Sequence, residues 1–195
     1  KTRGFCMHKK ESRSCHHFQK EMELLGSHLR SFYIIVASIT IMATGTPTMP
    51  ATSRQTLYLA GYSSKLHIRN VECVISTYLH SQGDWVMRSV VYVFAIRQKP
   101  WNGQTSAFKV KWPKYSALLQ VHPSDDMKRN LGAKREYVVR TYGQDHVILS
   151  DLRDVPSPCS LWVTQKYLDN IPDTINTTFA TICPDPIYPT FEDCY

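Results

Sequence analysis

The 195-residue sequence predicts an all-β domain, with about eight antiparallel strands in a sandwich or barrel and one C-terminal α-helix packed outside. Three observations lead there. Short runs rich in β-branched and aromatic residues recur along the chain, turn residues separate them at regular spacing, and no long helical periodicity interrupts them before Pro172.

The elements follow in order. Residues 55–62 are rich in Tyr and Leu. Residues 71–79 and 85–94 flank Ser81-Gln82-Gly83-Asp84, a hairpin signal. Residues 107–112 alternate, with Phe108, Val110 and Trp112 on one face, Lys109 and Lys111 on the other, and Pro113 as the stop. Residues 117–121 form a short apolar strand. Asp125, Asp126, Lys128 and Arg129 then read as a solvated loop. Residues 136–142 and 146–152 are joined by Gly143-Gln144-Asp145, and residues 160–164 complete the series. Pro172 and Asp173 open the helix, whose Ile175, Phe179 and Ile182 share one face until Pro184 ends it. Asn176 begins an Asn-Thr-Thr glycosylation sequon about 100° round from that face.

The first 45 residues belong to a different category. FYIIVASITIMA, residues 32–43, is an apolar run interrupted only by Ser38 and Thr40, too short for the roughly 20 residues of a membrane-spanning helix. His28 and Arg30 precede it and Ala43-Thr44-Gly45 follows, which predicts a secretory signal peptide over residues 22–45 with Met22 as initiator. Residues 1–21 are then untranslated upstream sequence, and residues 46–195 the domain, with a loosely ordered start near Thr46. Cys6, Cys15, His16 and His17 lack the paired spacing of a zinc site, so no metal is expected.

Charge and motifs narrow the function. The formal charge of +7 is concentrated in those first 45 residues, and from Thr46 onward 16 basic residues face 13 acidic ones. That leaves no basic stripe for nucleic acid. His67, His80, His122 and His146 are isolated and no catalytic motif is present, which argues against an enzyme. Cys73, Cys159, Cys183 and Cys194 form an even set, for which a secreted chain predicts disulfides in one of three pairings. Phe108, Val110, Trp112, Tyr137 and Val139 alternate against Lys109, Lys111, Glu136 and Arg140. They are expected to face inward and to suit an apolar guest.

The C-terminal region carries a resemblance. Cys159-Ser160-Leu161-Trp162-Val163, Lys166-Tyr167-Leu168-Asp169, Ile171-Pro172, Cys183 and Cys194 resemble the C-terminal signature of tick salivary lipocalins, and Cys73-Val74 matches the family's second-strand cysteine. TLYLAGYSSKL (residues 56–66), Gly83-Asp84-Trp85-Val86 and residues 171–186 are similar to members that modulate host dendritic cells. The resemblance covers nearly all of residues 46–195 and none of 1–21. It implies an eight-stranded lipocalin barrel with an outer helix and disulfides Cys73–Cys194 and Cys159–Cys183. It also implies a secreted, glycosylated monomer that meets a host immune-cell surface component.

One departure bears on the ligand. Amine-binding members carry C-D-[VIL] … E-L-[WY] … C, whose Asp and Glu hold the ammonium. Here Ser150-Asp151-Leu152 keeps the Asp, but Ser160-Leu161-Trp162 has Ser at the Glu position. A buried cation needs full charge pairing. The resemblance therefore implies cholesterol or a related sterol; such a ligand needs one polar contact for its hydroxyl, for which Asp151 or Tyr137 is the expected residue. The alternatives are a biogenic-amine scavenger, or an immune-evasion factor that binds a host protein without needing a ligand.

Overall fold

Eight antiparallel strands close on themselves in this computed structural model, which describes residues 48–66, 71–94, 103–114, 116–152, 158–191 and 194. The expected signal peptide and upstream segment, with Cys6, Cys15, His16 and His17, lie outside the described residues, as does His67. The strands are β1 (Leu57–Ser63), β2 (Val71–Gln82), β3 (Trp85–Phe94), β4 (Gly103–Lys111), β5 (Leu118–His122), β6 (Glu136–Tyr142), β7 (His146–Ser150) and β8 (Cys159–Val163). Each pairs with the next and β8 pairs with β1. Leu57 and Tyr58 of β1 pair with Ser76 and Ile75 of β2, which seals the ring. Of sandwich and barrel, the fold is a barrel.

β1 meets three partners because it changes neighbours along its length. Tyr58 pairs with both Ile75 and Val163, so β2 and β8 lie on opposite edges. Tyr62 pairs with Ser160 and with Ile187 of a two-residue strand, β9 (Pro186–Ile187), which takes over the edge that β2 leaves. A bulge between Leu59 and Gly61 lets the strand turn there.

The ends of the barrel differ. A 3-10 turn, Pro50–Thr52, plugs the end that carries the Gly83 hairpin turn, and buried Met49 joins Ala51, Leu57, Val86 and Val110 in one apolar layer. The start near Thr46 lies outside the described residues, and from Met49 and Pro50 onward the chain is buried. At the opposite end α1 (Asp125–Leu131) replaces the expected solvated loop. Ser124 Oγ accepts from the Met127 amide at 3.2 Å, and Gly132 caps the other terminus at φ 62°. Asp125 and Asp126 sit in the first turn and pair with Lys128 and Arg129 one turn on, which suits the helix dipole. Charges that resembled a loop are the two ends of a helix too short to show periodicity.

Outside the barrel, α2 (Gln165–Leu168) and α3 (Asp173–Ile182) follow β8. Lys166 Nζ donates to Asp145 at 2.8 Å and holds its carboxyl below the ordinary range. Ile175 and Phe179 of α3 pack on Tyr58, Ala60, Ile148 and Leu161, so the helix lies outside, as its apolar face predicts. Disulfides join Cys159 of β8 to Cys183 and Cys73 of β2 to Cys194. No helix among the described residues is long and apolar enough to cross a membrane.

Phe179 explains Gly61. A Cβ on Gly61 would lie 2.6 Å from the Phe179 ring, and Phe179 is fully buried. Gly61→Ala is therefore expected to cost about 1–3 kcal/mol by overpacking, read as a lower urea midpoint at unchanged slope. The same substitution at Gly83 meets no atom within 4 Å, and its cost comes from the φ of +58° alone.

Candidate functional site

All eight strands line an internal cavity of about 120 Å³, and they do so by alternation. Leu57 and Leu59 come from β1, Val74 and Ser76 from β2, Arg88 and Val90 from β3, Phe108 and Val110 from β4. Leu119, Val121, Tyr137, Val147, Leu149, Ser160 and Trp162 continue round the barrel. Met127 and Leu131 of α1, with Ala133, cover the end opposite the 3-10 turn. The space could hold several waters, but such walls give them few partners.

The expected inward set divides. Phe108, Val110 and Tyr137 line the cavity, whereas Trp112, Val139 and Asp151 do not. Trp112 lies just beyond β4, where its Nε1 donates to the Ser116 carbonyl at 2.8 Å and its ring meets Tyr142 edge-on. Val139 has the parity of Tyr137 but packs against the same apolar layer as Met49 and Val86 instead of facing the open space. Asp151 is buried at the far end of β7, 3.8 Å from Lys134 Nζ, with its amide on the Pro158 carbonyl. Tyr137 Oη accepts from the Lys134 amide at 2.8 Å, and burial pushes its hydroxyl up from the ordinary phenol range.

The main feature of the wall that was not among the expected residues is Arg88. It is 1% exposed, lies on the cavity wall, and carries a charge. Nε donates to Ser76 Oγ at 2.8 Å, Nη1 to the Ser53 carbonyl at 2.9 Å and the Ala51 carbonyl at 3.5 Å, and Nη2 to the Gln55 and Ser76 carbonyls at 2.7 and 2.9 Å. None of the ion pairs among the described residues involves it. Burial lowers the guanidinium to about 10, which still leaves it protonated at neutral pH. A signal for it existed: Arg88 has the parity of Val86 and Val90, so β3 carries a charge on its buried face.

Arg88 also ties the 3-10 plug to the barrel. Arg88→Ala should leave the Ala51, Ser53 and Gln55 carbonyls without their donor. The expected cost is about 2–4 kcal/mol in urea unfolding, with residues 48–55 becoming the earliest to exchange amide protons.

A second serine, Ser160, stands elsewhere on the wall. Ser160 Oγ accepts from Trp162 Nε1 at 3.1 Å, and among the described residues no Asp or Glu lines the cavity. No cluster of metal-binding side chains occurs among the described residues either. Asn176 is exposed on α3, and its Oδ1 accepts from the Tyr188 hydroxyl.

Comparison with known proteins agrees with this geometry. The family described as tick histamine binding protein matches residues 48–195. Japanin from Rhipicephalus appendiculatus and Japanin-like-RS from Rhipicephalus sanguineus are each 57% identical over 175 residues, which is 89% of this chain and 99% of each relative. The solved structure of Japanin from Rhipicephalus appendiculatus bound to cholesterol has a TM-score of 0.73 at 57% identity, covering 76% of this chain and 100% of that one. With its lipocalin barrel and this match over the whole described region, the chain belongs to the tick histamine-binding protein family.

Proposed function

We propose that this protein is a secreted salivary lipocalin that holds an apolar ligand, cholesterol or a related sterol, in its barrel and modulates host immune cells, dendritic cells among them. The observation that carries the ligand half is the cavity wall: carbon over almost its whole area, no carboxylate, and one buried cation. A biogenic amine would face Arg88 in place of a counter-charge, at Coulombic cost in a medium of low dielectric. The position where amine binders carry Glu is Ser160, and Asp151 is engaged by Lys134 instead of lining the cavity. The relative solved with cholesterol supports a sterol in the same space. Two disulfides and the exposed Asn176 sequon suit a secreted glycoprotein, and the reading is of a monomeric binding protein, not an enzyme.

Lipid extraction of the protein secreted from cultured eukaryotic cells tests the ligand, with near-stoichiometric sterol as the expected result. Recovery of no sterol, together with no uptake of added cholesterol by the delipidated protein, would overturn it. Addition to stimulated dendritic cells tests the second half. Suppressed display of maturation markers is expected, and an unchanged response would remove the immune role.

A further inference from the structure

A second recess, separate from the barrel interior, has the sequon residue Asn176 among its lining. This groove has a volume of about 320 Å³, within the range of small-molecule sites. Leu168, Ile171 and Phe191 give it apolar surface, and Asp169, Asn170 and Tyr188 supply polar groups. Such a mixture suits a sugar, which carries C–H groups on its faces and hydroxyls round its edge. Tyr188 is 43% exposed, and its ring is backed edge-on by buried Phe179 at 5.7 Å. An exposed aromatic face held by a packed ring is a platform for those C–H groups. Asn176 is already oriented toward it, because its Oδ1 accepts from the Tyr188 hydroxyl. That bond uses Oδ1 and not Nδ2, where a sugar attaches, so it persists after attachment.

We propose that the glycan of Asn176 is seated in this groove, with its first N-acetylglucosamine on Tyr188, and that it pins the C-terminal segment to α3. This rests on the reading of the chain as a secreted glycoprotein and deepens it: the sugar becomes part of the packing. In forming the linkage Nδ2 gives up one hydrogen and bonds C1 of the sugar, while the lipid pyrophosphate donor leaves with the proton. The segment that gains is the one after β9, which side chains hold: Tyr188 on Asn176, and the Phe191 ring edge-on to Tyr58 at 5.8 Å.

The test uses the full-length protein secreted from cultured eukaryotic cells, in which glycopeptide mass spectrometry is expected to find Asn176 occupied. Trimming the folded protein with an endoglycosidase that spares the first N-acetylglucosamine should leave amide exchange over residues 188–191 unchanged. Removing that last sugar with peptide N-glycosidase should raise the exchange about tenfold. This enzyme converts Asn176 to Asp, whose carboxylate still accepts from the Tyr188 hydroxyl, so the difference reads the sugar itself. Tyr188→Ala removes the platform, and the enzyme should then release the glycan from folded protein about tenfold faster than from wild type. Tyr188→Phe keeps the ring and should change that rate by no more than about threefold, the scale of one hydrogen bond. If Tyr188→Ala fails to fold, the exchange comparison on the wild-type chain decides. An occupied Asn176 whose last sugar leaves without raising exchange, or at a rate indifferent to Tyr188→Ala, overturns the seat and leaves the glycoprotein reading intact. An unoccupied Asn176 overturns both.

Discussion

Val110→Arg is expected to abolish sterol retention. Val110 is 1% exposed, lies on the cavity wall and pairs with Val86 and Val121 on its two sides. An arginine there fills the space and adds a second cation to an enclosure that already contains Arg88. Arg88 is tolerated because five oxygens receive its protons; apolar walls surround Val110. The expected cost is about 3–5 kcal/mol, the scale of an uncompensated buried charge. Lys109→Ala, on the exposed face of the same strand, should change stability by less than about 0.5 kcal/mol and leave retention intact. Val110→Trp is the companion variant: apolar bulk without charge, so that it folds while the space is reduced. If folded Val110→Arg or Val110→Trp still co-purifies with sterol, the ligand lies elsewhere.

The second large effect is expected from Cys194→Ala. The Cys73–Cys194 disulfide spans 121 residues, and opening it releases about 4–5 kcal/mol of denatured-state entropy in the chain-entropy model. Cys159→Ala opens a span of only 24 residues, worth about 3 kcal/mol on the same scale. Thermal unfolding of the two variants should therefore rank Cys194→Ala below Cys159→Ala. Equal midpoints would mean that strand pairing, not the crosslink, holds the C-terminal segment.

The strands were legible because period-2 alternation against charged neighbours leaves little choice of face. Lys109 and Lys111 set Phe108 and Val110 inward, and turns at Gly83 and Gly143 set the hairpins. Alternation fixes a side, not a height along the barrel axis. That is why Val139 and Tyr137 could be given one face while only Tyr137 meets the open space. Trp112 kept its parity but not its strand, because Pro113 follows at once. α1 was hidden by its length: seven residues show two apolar side chains and no repeat. The disulfide pairing came from resemblance alone, since spacing permits three. Arg88 was visible by parity in β3, yet its partners come from carbonyls of the 3-10 plug, which sequence does not announce.

The three-way pairing of β1 has a consequence for how the chain is made. β1 shares only two residue pairs with β2, its neighbour in sequence, and four with β8, about a hundred residues later in the chain. Its last edge is filled by β9, later still. During synthesis the first strand thus remains largely unpaired until nearly the whole domain has emerged, and Cys73 waits for a partner 121 residues downstream. The meander from β2 to β7 consists of hairpins that form locally, while ring closure is a high-separation event and sets the pace. The exposed edge of β1 in that interval is where a nascent chain is most open to association with another, and where a chaperone would engage it.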